Sequence, residues 1–221
     1  MSARTRIVEV IGPAGAGKST LCRVLAGQAD LARLEDFPDV RKLSDAPFFL
    51  WNGLRLLPSL VHARRNGGRL PSRRELAWLA ILRGWPARLQ SQVRAGGILF
   101  LDQGPVYLLT ETRDLCPAPI WQDFCARWAA TLDLIVWLDA PDADLLTRIR
   151  TREKAHVVKH ESDEAVFAFL DEYRQAYARA LSSLTAGPNP PQVLRFDTGR
   201  HPPEEIASQL LTRFIEPRES P

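Results

Sequence analysis

Residues 6–21, RIVEVIGPAGAGKSTL, join an apolar run to a small-residue turn and then to a helical pattern. RIVEVI reads as a short strand, and Leu21, Val24 and Leu25 recur at helical spacing in a stretch that runs to about Gln28. Between them Gly12, Pro13, Ala14, Gly15, Ala16, Gly17, Lys18 and Ser19 fit G-x-x-x-x-G-K-[ST] without deviation, with a strand before and a helix after. The residue types follow from the chemistry. Small side chains let backbone N–H groups wrap around phosphate oxygens, and the helix start adds the positive end of its dipole. Lys18 can reach β- and γ-phosphates, the Ser19 hydroxyl can ligate Mg²⁺, and Thr20 follows in the same helical turn. A glycine-rich turn arising by chance is the alternative, and the register of strand, loop and helix argues against it.

LARLED (31–36) is a weaker strand candidate, and ILFLD (98–102) and LIVWLD (134–139) are apolar runs suited to buried parallel strands. VLRFD (193–197) follows a Pro/Gly/Asn turn and completes the set. From Phe48 to Val93 the pattern is mainly helical, broken near Gly67–Gly68, Pro71 and Pro86. Trp121, Phe124, Cys125, Trp128 and Leu132 form a helical stripe. A long amphipathic helix runs from Val166 to Leu184, and a last one begins near Pro202–Pro203. This alternation predicts an α/β, three-layer P-loop NTPase fold, a five-stranded parallel sheet with helices on both faces. Right-handed crossovers gather the strand carboxyl ends on one edge, where such folds bind ligands. Asp36, Asp102, Asp139 and Asp197 all fall at or just past those ends. No repeat and no linker interrupts the chain, so residues 1–221 are expected to form one domain.

The 221 residues are 45% hydrophobic and 25% charged, which excludes a disordered or collagen-like chain. The net charge of +3 conceals an asymmetry. Nine arginines and a single acid, Glu75, give the stretch from Pro47 to Ala95 a local +8, leaving −5 for the remainder. Such a block suits an anionic partner (a phosphorylated substrate, nucleic acid or an acidic membrane surface) or simply a solvated helical face. Cys22, Cys116 and Cys125 are scattered, odd in number and without CxxC spacing, as in a reducing compartment. No apolar run approaches the roughly 18–20 residues of a membrane span, and the N-terminal stretch has no signal-like region. A cytoplasmic protein is expected.

With these elements in place, the sequence resembles the P-loop nucleoside and nucleoside-monophosphate kinase group, especially its thymidylate kinase and deoxynucleoside kinase branch. IGPAGAGKSTL is the usual opening of that group, and ILFLDQGPVY is similar to its third-strand motif, where an acid sits near metal and substrate. LIVWLDAPDADLLTRIRTREKAH resembles its strand, helix and arginine-rich lid. VLRFDTGRHPPEEIASQLL resembles its last strand and helix, whose connecting loop lies near the adenine. There is no N/T-K-x-D stretch of GTPases and no LSGGQ-like signature of transporter ATPases. The resemblance implies transfer of a phosphoryl group from ATP with Mg²⁺. Lys18, Asp36, Asp102, Arg148 and Arg152 are then the catalytic candidates, with Ser19 and Asp102 toward the metal and a lid over 148–162. Fixed guanidinium groups there would stabilise charge spread over the transferred group, and Arg148 and Arg152 would share one face of a continuing helix. A charged helix end is the plain alternative. Asp102 could equally cap the following helix. Glu35 and Asp36 sit where deoxynucleoside kinases carry a carboxylate base. Gln103 stands where the group commonly has Arg, which puts an ordinary nucleotide acceptor in doubt.

The acceptor-binding region is expected over 36–95, of which roughly 40–95 shows no recognisable match to the group. Glu35, Phe48, Trp51, Arg55 and Gln103 are its substrate candidates, since aromatic faces beside arginines can stack a ring and hold a phosphate. Core packing is the alternative for the aromatics. WNGLRLLPSLVHARR (51–65) also mixes apolar and basic positions in the manner of peripheral membrane contact. The expected partner is a small-molecule acceptor, a hydroxyl-bearing nucleoside-like metabolite or a phosphorylated compound, and the chain is compatible with a homodimer. A nucleotide-binding regulatory or scaffold protein without transferase activity, or a nucleic-acid-directed kinase, are the competing classes.

Overall fold

Apolar runs of four to six residues hold as strands here because helices cover both faces of the sheet they form. The computed structural model describes residues 5–28, 32–35, 37–65, 69–92, 97–102, 104–153 and 156–215. Strands β1 (Arg6–Ile11), β2 (Ala32–Glu35), β3 (Ile98–Asp102), β4 (Leu134–Asp139) and β5 (Gln192–Asp197) pair in parallel in the order β2-β3-β1-β4-β5. Alternation along β1 sends Val8 and Val10 to one face and Ile7 and Ile11 to the other. The first face is covered by α1 (Lys18–Gln28), α6 (Asp142–Thr151) and α8 (Pro203–Ile215), which contribute Leu21, Leu145 and Ile206. The second is covered by α3 (Arg73–Gln92), α4 (Pro105–Thr112) and α5 (Ala118–Ala129), with Leu82, Leu109 and Trp128. Helix α7 (Asp163–Thr185) serves both cores, Val166 and Leu170 in one and Tyr177 and Leu184 in the other. Helix α2 (Ala46–Arg65) packs on α3 outside this frame.

Register brings the strand ends together. Val10 pairs with Asp102, Glu35 with Leu101, and Ile11 with Trp137, so the loop after β1 emerges at the centre of the carboxyl edge. The expected break at Pro86 fails: it lies inside α3, as Pro58 lies inside α2. A proline removes the hydrogen bond to the carbonyl four residues earlier. For Pro86 that carbonyl is Leu82 O, and the Trp128 indole Nε1–H donates to it at 3.0 Å. The lost bond is replaced from α5, and the buried Trp85 and Leu89 keep the helix on the core. Helix α4 was not apparent in the sequence. Helices α2 and α3 cross closely at Gly84, where a Cβ would stand 2.3 Å from Asn52 Nδ2. Among the described residues no helix is long and apolar enough to cross a membrane, and the three cysteines are free thiols.

Candidate active site

The loop after β1 runs tightly against β4. Gly12 has φ +147°, and a Cβ there would lie 2.1 Å from the Leu138 carbonyl oxygen, so only glycine permits the approach. The loop closes with Ala16 N–H donating to Pro13 O at 3.3 Å. Helix α1 opens as Thr20 and Leu21 N–H donate to Gly17 O at 3.0 and 2.9 Å. The first N–H groups of such a helix have no acceptor within it and, with the dipole, attract anions. Ser19 and Thr20 stand exposed on this first turn. Lys18 as a residue is partly exposed, but its ammonium is tucked into the loop, donating to Gly12 O at 2.7 Å and Pro13 O at 2.9 Å. Burial pushes its pKa down to about 8, and the charges of Asp102, which raises it, and Arg152, which lowers it, are felt there as well. Lys18, Asp102 and Arg152 therefore share one electrostatic neighbourhood.

The strand-end carboxylates divide into two kinds. Asp139 accepts from Arg174 on α7 at 2.8 and 3.0 Å, and Arg174 also holds Asp142 at 2.7 Å. Asp197 accepts from Gly199 N–H at 2.8 Å in the turn after β5. Both pin structure. Asp102 and Glu35, each half-buried, lie at the ends of adjacent strands beside the loop. Asp36 and Gln103 lie outside the described residues.

Arg148 bridges two loops. Its guanidinium donates to Thr198 Oγ1 at 2.8 Å, to Thr198 O at 3.0 Å and, weakly, to Gly15 O at 3.4 Å. With Gly15, Thr20, Leu138 and Ile206 it lines a cavity of about 290 Å³ on the outer side of the loop. Arg148 and Arg152 do not share a helix face. Helix α6 ends at Thr151, whose hydroxyl donates to the Thr147 carbonyl at 2.9 Å, and Arg152 turns out in extended backbone (φ −66°, ψ 134°). The rest of the expected lid is tied locally: Arg150 pairs with Asp163, and Lys159 donates to the Arg152 carbonyl. His156 packs edge-on to Phe169, and burial, then Arg152 and Lys18, hold its pKa below the usual range. Lys154 is outside the described residues. Arg148→Ala should loosen the Thr198–Gly15 bridge and weaken nucleotide binding roughly tenfold, since hydrogen bonds from a charged donor contribute about 1.5 kcal/mol or more. Calorimetric titration with ADP checks this.

A larger cavity, about 650 Å³, opens beyond the ends of β2 and β3, lined among others by Phe37, Arg41, Arg73, Arg74, Trp78 and Tyr107. The Arg74 guanidinium lies 4.6 Å over the Trp78 ring, and Trp78 meets Tyr107 edge-on at 6.4 Å. Arg41, Arg73 and Arg74 face it with one lining acid, Asp39, whose carboxylate accepts from the Arg41 backbone N–H at 2.9 Å, and Arg74 also acts on Glu111. The structure does not bring the expected Phe48, Trp51 and Arg55 here. Phe48 packs edge-on against Phe49 at 5.2 Å, and exposed Trp51 carries the Arg55 guanidinium 4.5 Å over its ring. In the sequence Arg74 and Trp78 stand four apart, the spacing that brings them together on one helix face at this cavity.

Glu9 is a further residue beside the site, and an acid within RIVEVI is anomalous in a strand buried on both faces. It is fully buried and accepts at both carboxyl oxygens from Val106 N–H, at 3.0 and 3.1 Å, beneath the start of α4. It thus anchors the turn that leaves Asp102.

No protein-family model and no curated protein matches the chain. Solved structures do. A thymidylate kinase from Candida albicans is 15% identical over 97% of this chain and 93% of its own, with a TM-score of 0.57. A shikimate kinase from Acinetobacter baumannii, in complex with shikimate, is 15% identical over 98% and 96%, with a TM-score of 0.50. At such identities the likeness is one of fold, and the chain has the fold of these P-loop kinases.

Proposed function

We propose that the chain is a phosphotransferase that uses ATP and Mg²⁺ to phosphorylate a small-molecule acceptor. The observation that carries this reading is Lys18. A buried ammonium with a lowered pKa, inside a complete phosphate-type loop and coupled to Asp102 and Arg152, gains its natural counter-charge when a phosphate enters. The fold of P-loop kinases supports the same reading. The cradle fits a triphosphate, because the Lys18 ammonium sits among the loop carbonyls and the exposed Ser19 and Thr20 hydroxyls stand at the helix start. Among the described residues no cluster of three or more His, Cys, Asp or Glu could cage a metal. Ser19 and Asp102 would therefore hold Mg²⁺ together with phosphate oxygens and water, and the ion would supply neutralisation of phosphate charge.

In this reading the nucleoside part occupies the cavity under Arg148 and the acceptor the cavity beside Trp78 and Tyr107. An acceptor oxygen bonds to the γ-phosphorus as the bond to the β,γ-bridging oxygen breaks, and that electron pair leaves with ADP. If the acceptor is a hydroxyl, its proton passes to a carboxylate at the β2–β3 edge, for which Asp102, Glu35 and Asp36 are the candidates. Lys18 and Arg152 hold the transferred charge, Arg148 orders the loop, 148–162 acts as lid, and 36–95 binds the acceptor within one domain. The test is incubation with γ-labelled ATP and a panel of nucleosides, nucleoside monophosphates, sugars and amphiphilic alcohols. A labelled product that requires Mg²⁺ is expected. Nucleotide binding with no product across the panel would instead favour a non-catalytic nucleotide-binding protein.

A further inference from the structure

The cavity beside Trp78 and Tyr107 is not closed at its far side. Val40, Arg73 and Ala77 line both it and a second cavity of about 400 Å³ between α2 and α3. Leu57, Leu60 and Leu76 carry that one into a third, of about 500 Å³, which ends at Leu70 and Pro71. The second and third cavities are apolar except for Arg73 at one end and Arg64 and Arg65 at the other. Along the groove Leu50, Leu54, Leu57 and Val61 follow one another at helical spacing, and they are 67%, 51%, 50% and 48% exposed. A water-facing apolar stripe of this length calls for an occupant.

Charge decides among the occupants. A second copy of the chain would set Arg64, Arg65 and Arg73 of one groove against the same residues of the other. Of the acids nearby, Glu75 is engaged by Arg69 at 2.6 Å, Asp39 accepts from the Arg41 backbone N–H at 2.9 Å, and Glu111 lies in the field of Arg74. A nucleic acid would use the arginines and leave the leucines in water. A ligand with an anionic head and an apolar chain uses both. Three guanidiniums, Arg41, Arg73 and Arg74, outnumber the one lining acid, Asp39, at the head end, and the groove continues from it through the shared lining of Val40, Arg73 and Ala77. From Leu50 to Val61 it follows ~16 Å of helix axis, the reach of an extended chain of about twelve carbons.

We propose that the arginine-rimmed cavity and the α2–α3 groove form one site for an amphiphilic acceptor, its anionic head at Arg41, Arg73 and Arg74 and its chain along Leu54, Leu57 and Leu76. The word acceptor rests on the phosphotransferase reading; the binding site does not. The chain takes no part in the chemistry. The phosphoryl group passes to a head oxygen with the bond changes given above.

The probe is a ladder of n-alkyl phosphates from ethyl to dodecyl, kept below micelle concentration and titrated calorimetrically without nucleotide. Affinity should rise about twofold per methylene, half the free energy of full burial because the groove is open on one side. That amounts to about sixtyfold from hexyl to dodecyl. No atom lies within 4 Å of where a Gly53 Cβ would stand, so Gly53→Phe can fill the groove without a clash. It should abolish the chain-length gain and keep the short-chain affinity. Replacing Arg73 and Arg74 together by Ala should weaken every member equally. An affinity that ignores chain length, or a gain that survives Gly53→Phe, overturns the proposal. So does a stable dimer that Leu54→Asp converts to monomer, since the groove would then be an interface. A ladder that behaves as expected, joined to no transfer from labelled ATP to any amphiphile, upholds the site and counts against the phosphotransferase reading alone.

Discussion

Lys18→Ala should lower phosphoryl transfer by about 10²–10³-fold, the usual consequence of removing a preorganised charge from a developing anion, while the protein stays folded. The folded protein holds Lys18 near pKa 8, against 10.5 for the free side chain. Between those values the unfolded chain binds the extra proton, so stability rises as pH climbs from about 8 to 10.5 and carries the full penalty below 8. Alanine removes that penalty together with the two hydrogen bonds to Gly12 O and Pro13 O. The variant should therefore melt at the wild-type temperature or above it at pH 7, a site that trades stability for function. Phosphate entering the loop restores the ammonium. Nucleotide binding should accordingly take up a proton around pH 8–9 and weaken as pH rises beyond that window. Calorimetry in two buffers of different ionisation enthalpy measures the uptake. Full transfer by a folded Lys18→Ala protein would refute the assigned role.

What the sequence made legible has a common physical origin, and so does what it hid. Strands β1, β3 and β4 showed as apolar runs because both faces are covered, and the loop Gly12–Ser19 is encoded by consecutive residues, with Gly12, Gly15 and Gly17 at positive φ. The proline inside α3 misled because its missing bond is replaced by Trp128, 42 positions away in sequence, a compensation no local rule contains. Arg148 and Arg152 read as neighbours on one face only while the helix was assumed to continue past Thr151. The larger cavity, beside Trp78 and Tyr107, takes its wall from three separated segments, around Phe37–Arg41, Arg73–Ile81 and Tyr107–Leu108, that only tertiary packing assembles. The aromatic residues expected there, Phe48 and Trp51, lie elsewhere on α2. Four strand-end acids looked alike in sequence. Asp139 and Asp197 proved to be structural once Arg174 and the Gly199 turn were visible.

Stability should fall as pH rises from about 4.5 to 8, and Glu9 is the residue that makes it do so. Its carboxyl lies fully buried between β1 and α4. Burial pushes its pKa up to about 8, outweighing the N–H groups of Val106, Gly104 and Tyr107, which favour the ionised form. The buried Tyr177 feels its charge and Tyr107 offers it a backbone N–H, and both tyrosines have raised pKa values, chiefly through burial. The unfolded carboxyl titrates near 4.5, so between 4.5 and 8 the folded protein keeps a proton that the unfolded chain releases. The stabilisation is complete below 4.5 and is lost through 8, by several kcal/mol if the whole shift is expressed. Lys18 acts in the opposite sense, but above this window. Glu9→Gln cannot ionise, so its urea midpoint should stay nearly level between pH 5 and 8 while that of the wild type declines. Parallel curves for the two proteins would mean that Glu9 is ionised throughout. Glu9→Ala separates the structural part: it leaves the start of α4 without its acceptor and opens a cavity, at a cost of about 3 kcal/mol. Gly104 packs on the Glu9 carboxyl only two residues after Asp102. The same change should therefore lower transfer through kcat, by displacing Asp102, while leaving ADP binding intact.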